Sequence, residues 1–268
     1  MSEAAESAES VSPSTPTEEP SLREREFRGR SLRASRFLGC DLSGVIVRGS
    51  DIGGMELDSP WLLEGGGTLL VNGVDVVAFV DAELDRRFPG RSLRAADDPD
   101  GLRAAWAALE SSWAATVHRA TGLPPELVDA SVDGEWSFAQ TLRHLVMATD
   151  TWLGRAVLGR ERPYHPFGLP NDDDDGAGSA AYTAADFAST PPTFDEVLAA
   201  RADRQAMVRD YLATVTVDLL AEQRPNPHAP SHPETVLSCL RTILEEEWEH
   251  HRYAVRDLDT LLLQRDPG

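Results

Sequence analysis

Ile243-Leu-Glu-Glu-Glu-Trp-Glu-His-His-Arg-Tyr-Ala-Val-Arg-Asp-Leu258 is the stretch on which the reading of this chain turns. It has the spacing of one long helix near the C-terminus, yet acidic residues and a doubled histidine stand where an apolar stripe should continue. Residues four apart on a helix lie one turn apart on the same face. Two registers therefore set a carboxylate over an imidazole: Glu246 with His250, or Glu247 with His251. Such a pair, completed by a third ligand from another helix, is a common way to hold a divalent metal. A solvated, ion-paired face ending in two surface histidines would carry the same letters. At about 100° per residue, Glu247 and His251 straddle the stripe of Leu240, Leu258 and Leu262, and Glu246 and His250 lie on its flank. Pattern alone favours Glu247/His251.

Working outward, this helix is expected over about 233–263, and three more amphipathic patterns precede it. The first, 99–121, spaces Leu102, Trp106, Leu109, Trp113 and Val117 by threes and fours and is stopped by Gly122. The second, 137–158, starts at Ser137 as N-cap and carries Phe138, Leu142, Leu145, Val146, Leu153 and Val157. The third, 193–215, carries Phe194, Val197, Leu198, Met207, Val208, Tyr211 and Leu212. Residues 163–192, with the run Asp172–Asp175, form a long irregular connection. Four amphipathic helices with one long crossover describe a four-helix bundle. His144 is the candidate third ligand; it sits off the main stripe of its helix, toward Gln140, Met147, Ala148 and Thr151. Glu247 and Asp150 are candidates to orient an imidazole, or to form ion pairs. His118, His165, His228 and His232 fall at polar helix ends or in Pro-rich loops and are background.

Upstream of the bundle the chain changes character twice. Residues 1–21 are Ser, Glu, Ala, Pro and Thr with almost no bulky apolar side chains, and a disordered tail is expected. From Phe27 a period of five appears: Phe27, Leu32, Phe37, Leu42, Val47, Ile52, Leu57. Such a period is neither helical nor strand-like. Residues 22–67 resemble the pentapeptide-repeat family, which implies a short right-handed quadrilateral β-helix. The small residue expected two places earlier is replaced by Arg25, Arg30 and Met55. Residues 68–98 read as a connector: a strand over 68–71, a tight turn at Asn72-Gly73, a helix over 76–88 capped by Asp75, and a polar linker. The bundle then occupies 99–268.

Composition limits the partners. The 268 residues are 41% hydrophobic, enough for a substantial core, and carry a formal net charge of −20. That charge repels nucleic-acid backbones and anionic membrane surfaces. No apolar run is long enough to span a bilayer, and the Met-Ser-Glu-Ala-Ala-Glu-Ser start lacks the features of a signal peptide. Cys40 and Cys239 offer no disulfide framework, so a reducing cytoplasm is the expected compartment. No Ser/His/Asp set, P-loop or GxGxxG competes with the histidine sites.

Glu135-Trp-Ser-Phe-Ala-Gln-Thr-Leu-Arg-His-Leu145, followed by Glu246-Glu-Trp-Glu-His-His251, resembles the DinB-like superfamily of four-helix bundles. That superfamily includes thiol-dependent S-transferases and mycothiol-dependent maleylpyruvate isomerases. Val71-Asn-Gly-Val-Asp-Val76 and Ala82-Glu-Leu-Asp-Arg-Arg87 are similar to an actinobacterial-type subgroup with a pentapeptide-repeat front end. The resemblance implies a mainly α fold, with a DinB-like four-helix bundle behind the short β-helix. It implies metal ligands His144, Glu246 and His250, against the register that pattern alone prefers. Three protein ligands leave an open coordination position; the set suits Zn²⁺ and accommodates Ni²⁺, Mn²⁺ or Fe²⁺. A small-molecule substrate, a low-molecular-weight thiol as cosubstrate and a homodimer are the expected partners. The competing expectation is a non-catalytic metal-binding or stress-related interaction module.

Overall fold

The computed structural model describes residues 22–63, 66–171 and 182–265; the expected tail and the Asp172–Asp175 run lie outside them. The chain divides into two compact units, residues 1–56 and 57–268.

From Leu22 the first unit repeats one turn every ten residues. The N–H groups of Arg25, Ser35, Val45 and Met55 donate to the carbonyls of Leu22, Leu32, Leu42 and Ile52. Positive φ recurs every fifth residue, at Glu24, Gly29, Ala34, Gly39, Gly44, Gly49 and Gly54. Five of these seven are glycine, the residue that adopts this conformation without steric cost. The sequence period of five is thus also a backbone period. No strand forms between residues 22 and 56, and Phe27, Leu32, Phe37, Leu42, Val47 and Ile52 remain exposed.

The second unit opens with a hairpin, β1 (Leu70–Val71) and β2 (Val74–Asp75), in which Leu70 pairs with Asp75 and Val71 with Val74. Asn72 and Gly73 both have positive φ, 50° and 82°, as a two-residue type I′ turn demands. Helix α1 (Val77–Arg87) follows. Asp75 belongs to the strand rather than to the cap position, although its carboxylate still accepts from the Val77 N–H at 3.1 Å. No residue of α1 is fully buried; Arg91 and Arg94 tie it down through Asp81 and Asp85.

Four long helices make the bundle. Helix α2 (Pro99–Thr121) has Pro99 in its first turn and is capped by Asp98, whose side chain accepts from Asp100 and Gly101 N–H. Helix α3 (Phe138–Thr149) starts at a reciprocal Ser137/Gln140 capping box, and α4 (Phe194–Thr214) at the matching Thr193/Glu196 box. After a short α5 (Val217–Leu220), helix α6 (Val236–Arg265) closes the fold. Both α2 and α3 pack against α4 and α6, so the ring runs α2, α4, α3, α6. Its centre is filled by Leu102, Trp106, Leu109 and Trp113 of α2 and their partners Leu142, Leu145, Val208, Ile243, Trp248 and Leu258. A fully buried side chain of this kind stabilises by about 1.5–3 kcal/mol. The fold is mainly helical, and no helix among the described residues is long and apolar enough to cross a membrane.

The structure departs from the expected elements in three places. The second bundle helix does not run uniformly to 158: from Asp150 to Val157 it is a π segment, with Leu158 N–H reaching the Leu153 carbonyl five residues back. Gly154 allows this segment to meet Pro163, because a Cβ there would lie 2.7 Å from the proline Cβ. Helix α6 starts at Val236 rather than near 233, since Glu234–Thr235 form strand β4 against β3 (Gln223–Arg224). Within the 163–192 connection, Thr183 starts a short 3-10 turn at Ala184–Asp186.

Candidate metal centre

Because α3 packs beside α6, His144 meets the face of α6 that carries Glu246 and His250. His144 Nε2 lies 3.4 Å and His250 Nε2 3.3 Å from the same Glu246 oxygen, Oε2. Ligand atoms from the three residues all fall within 4.8 Å of one another. Ligands about 2.0–2.1 Å from a tetrahedral ion stand about 3.3–3.4 Å apart along each edge. The two measured edges match that spacing, and they are longer than a charged N–H···O hydrogen bond of about 2.7–2.9 Å.

The protonation states also suit a cation. The carbonyl of Leu169 is 3.2 Å from His144 Nδ1. A carbonyl can only accept, so Nδ1 carries the proton and Nε2 presents its lone pair to the cluster. Leu169 is held in place by its own N–H, which donates to the Arg143 carbonyl at 3.2 Å. Burial would raise the Glu246 carboxyl, but the adjacent imidazoles of His144 and His250 outweigh it and hold the group well below the usual carboxylate range. Burial lowers the His250 pKa, only partly opposed by the Glu246 carboxylate. Both directions, Glu246 toward the carboxylate and His250 toward the neutral ring, run toward the donor states that metal binding requires. His144 is buried at 6%, whereas the Glu246 side chain is 35% exposed, so the cluster is open on the carboxylate side.

The neighbouring register does not converge. Glu247 is 1% exposed and pairs with Arg201 of α4, itself 3% exposed. His251 turns the other way: its Nε2 is 2.9 Å from Thr116 Oγ1, and its ring sits among Phe88, Trp113 and Trp248. Burial pushes the His251 pKa down to about 4. Asp150 and Glu247 do not orient a clustered imidazole either; Asp150 is fully buried against Arg204 and the His165 N–H, and the orienting role falls to the Leu169 carbonyl. Among the described residues, His144, Glu246 and His250 form the one group of His, Cys, Asp or Glu able to hold an ion. His165 accepts from the Phe167 N–H, and His228 packs on Trp152, so neither joins it.

Sequence reasoning missed Leu169 and Arg201. A backbone carbonyl leaves no signal in the letters. Arg201 did leave one: it follows Val197 by four and precedes Val208 by seven, which is a core position, and a charge there needs a buried partner.

The fold and site define a four-helix bundle with an open His/Glu/His cluster between two of its helices. Residues 108–254, more than half of the chain, match the DinB superfamily (DinB_2), and the chain belongs to that family. A comparison with curated proteins finds no match.

Proposed function

We propose that this protein is a divalent-metal-dependent enzyme of the thiol S-transferase or isomerase type, acting on a small molecule with a low-molecular-weight thiol of the mycothiol kind. The observation that carries the reading is the convergence of His144 Nε2 and His250 Nε2 on one Glu246 oxygen at 3.4 and 3.3 Å. These three residues would hold the ion, with Zn²⁺ the best fit and Ni²⁺, Mn²⁺ or Fe²⁺ accommodated by the same donors. A bound divalent ion supplies Lewis acidity, bringing the pKa of a coordinating thiol or water toward neutrality. The chain's own contribution is to keep His144 in one tautomer through Leu169, to keep Glu246 ionised, and to leave the carboxylate side open for a small molecule. The described residues 22–63 we take as a short right-handed quadrilateral β-helix of the pentapeptide-repeat kind, a docking module that precedes the bundle in the sequence. The left-handed position at every fifth residue supports that reading.

The test is spectroscopic. Protein loaded with Co²⁺ is titrated with mycothiol, bacillithiol and glutathione while the near-ultraviolet sulfur-to-cobalt charge-transfer band is followed. One thiol saturating such a band, absent in His250→Ala, is the expected result. Cobalt binding with no band from any thiol would replace the transferase reading by hydrolysis or by a non-catalytic metal-binding module.

A further inference from the structure

We infer that Trp136 is a positioning residue of the metal centre, and that the turn carrying it is latched to α6 so that the indole sets the ring planes of His144 and His250. The inference rests on the metal-site reading above.

The backbone holds Trp136 from both sides. Before it, Asp133 and Gly134 have positive φ, 54° and 81°, and Glu135 N–H donates to the Val132 carbonyl at 3.0 Å, a type I′ turn. Ser131 Oγ locks the same turn by donating to the Glu135 carbonyl at 2.6 Å. After it, Ser137 is fixed as the cap of α3, its own N–H donating to Gln140 Oε1 at 2.9 Å. The backbone at Trp136 is therefore fixed, which sets where its indole can reach.

Its ring lies against both ligand imidazoles: 4.7 Å from His144 at an interplanar angle of 37°, and 5.9 Å from His250 at 22°. Those two imidazoles are themselves 4.7 Å apart. On α6, Tyr253 meets the His250 ring edge-on at 6.0 Å. The Arg256 guanidinium sits 5.1 Å from the Tyr253 ring centre and forms an ion pair with Glu135. The contacts close into a circuit: Trp136, His250, Tyr253, Arg256, Glu135 and back to Trp136. His144 is oriented by a carbonyl, and this circuit does the corresponding work for His250. A cation makes its imidazole ligands more positive, and an indole face attracts positive charge, so the stacking strengthens when the ion binds. Trp136 is half-buried and not part of the main hydrophobic core, so its loss leaves the bundle's packing in place.

The experiment compares full-length wild type with Trp136→Phe, Trp136→Ala and Glu135→Gln. Co²⁺ affinity is measured by competition with a chromogenic chelator, the cobalt d–d spectrum is recorded, and metal-free melting temperatures are taken. Residues that orient metal ligands are worth about 10–100-fold in affinity. Trp136→Ala is expected to weaken Co²⁺ by that factor and to change the d–d envelope while the metal-free melting temperature stays near wild type. Trp136→Phe should restore most of the affinity, and Glu135→Gln should fall between. Wild-type affinity and spectrum in Trp136→Ala would overturn the inference, as would an equal loss in Trp136→Phe. Failure of wild type to bind Co²⁺ would instead overturn the metal reading itself. If Trp136→Ala does not fold, Glu135→Gln decides: an unchanged affinity and spectrum there refutes the latch.

Discussion

Replacing Glu247 by Leu should destabilise the bundle severely while leaving the metal centre intact. Glu247 and Arg201 are 1% and 3% exposed, and the guanidinium lies over Trp113 with its Nε and Nη1 already lacking a partner. Removing the carboxylate strands a buried cation, a loss of about 3–5 kcal/mol. At about 2–4 °C per kcal/mol for a domain of this size, the melting temperature should fall by roughly 6–20 °C. Replacing both partners, as Arg201→Met with Glu247→Leu, removes the charge and the desolvation cost together, and stability should return to or exceed wild type. Arg201→Met alone should cost less at low pH, because burial already raises the Glu247 carboxyl and protonation relieves it. Urea denaturation followed by circular dichroism, run on the full cycle, measures these terms. A single Glu247→Leu loss below about 1 kcal/mol, or a double variant no better than the single, would refute the reasoning.

Other outcomes follow from the same packing. His251 has a folded pKa of about 4 against an ordinary value of about 6.5, so its contribution is complete above pH 6.5 and is lost as pH falls toward 4. A lowering of that size corresponds to roughly 3 kcal/mol, so His251→Phe should flatten the stability profile between pH 6.5 and 4 by about that amount; an unchanged slope contradicts it. Gly154→Ala should drive a Cβ to 2.7 Å from Pro163 Cβ and cost about 1–3 kcal/mol by calorimetry. Adding Pro163→Ala should recover much of that loss, and no recovery would point to a cause other than this contact.

Much of the bundle was legible because its cues are local. The threes and fours of Leu102, Trp106, Leu109 and Trp113 became the buried face of α2, and Ser137 became the cap of α3. The period of five near the N-terminus reappeared as a left-handed residue in every unit, although the apolar residues that announced it are exposed. What stayed hidden depends on neighbours distant in sequence. The start of α6 is set by a strand pairing with residues 223–224, and the π segment lies against Pro163 at Gly154. Register on α6 was undecidable from one helix: Glu247 and His251 do face the core, as their stripe suggests, but Arg201 and Thr116 occupy them separately. Glu246 and His250 converge only because α3 brings His144 to that flank. Trp136 stood inside the quoted motif, yet only the turn at Asp133-Gly134 and the Glu135–Arg256 pair give it a role.

The most direct measurement is metal content by elemental analysis of purified wild type, His144→Ala, Glu246→Gln, His250→Ala and Glu247→Leu. The account predicts one divalent ion per chain in wild type and in whatever Glu247→Leu remains folded, and its loss from the other three. Equal, sub-stoichiometric metal in all five proteins, or loss from Glu247→Leu with retention in Glu246→Gln, would contradict it.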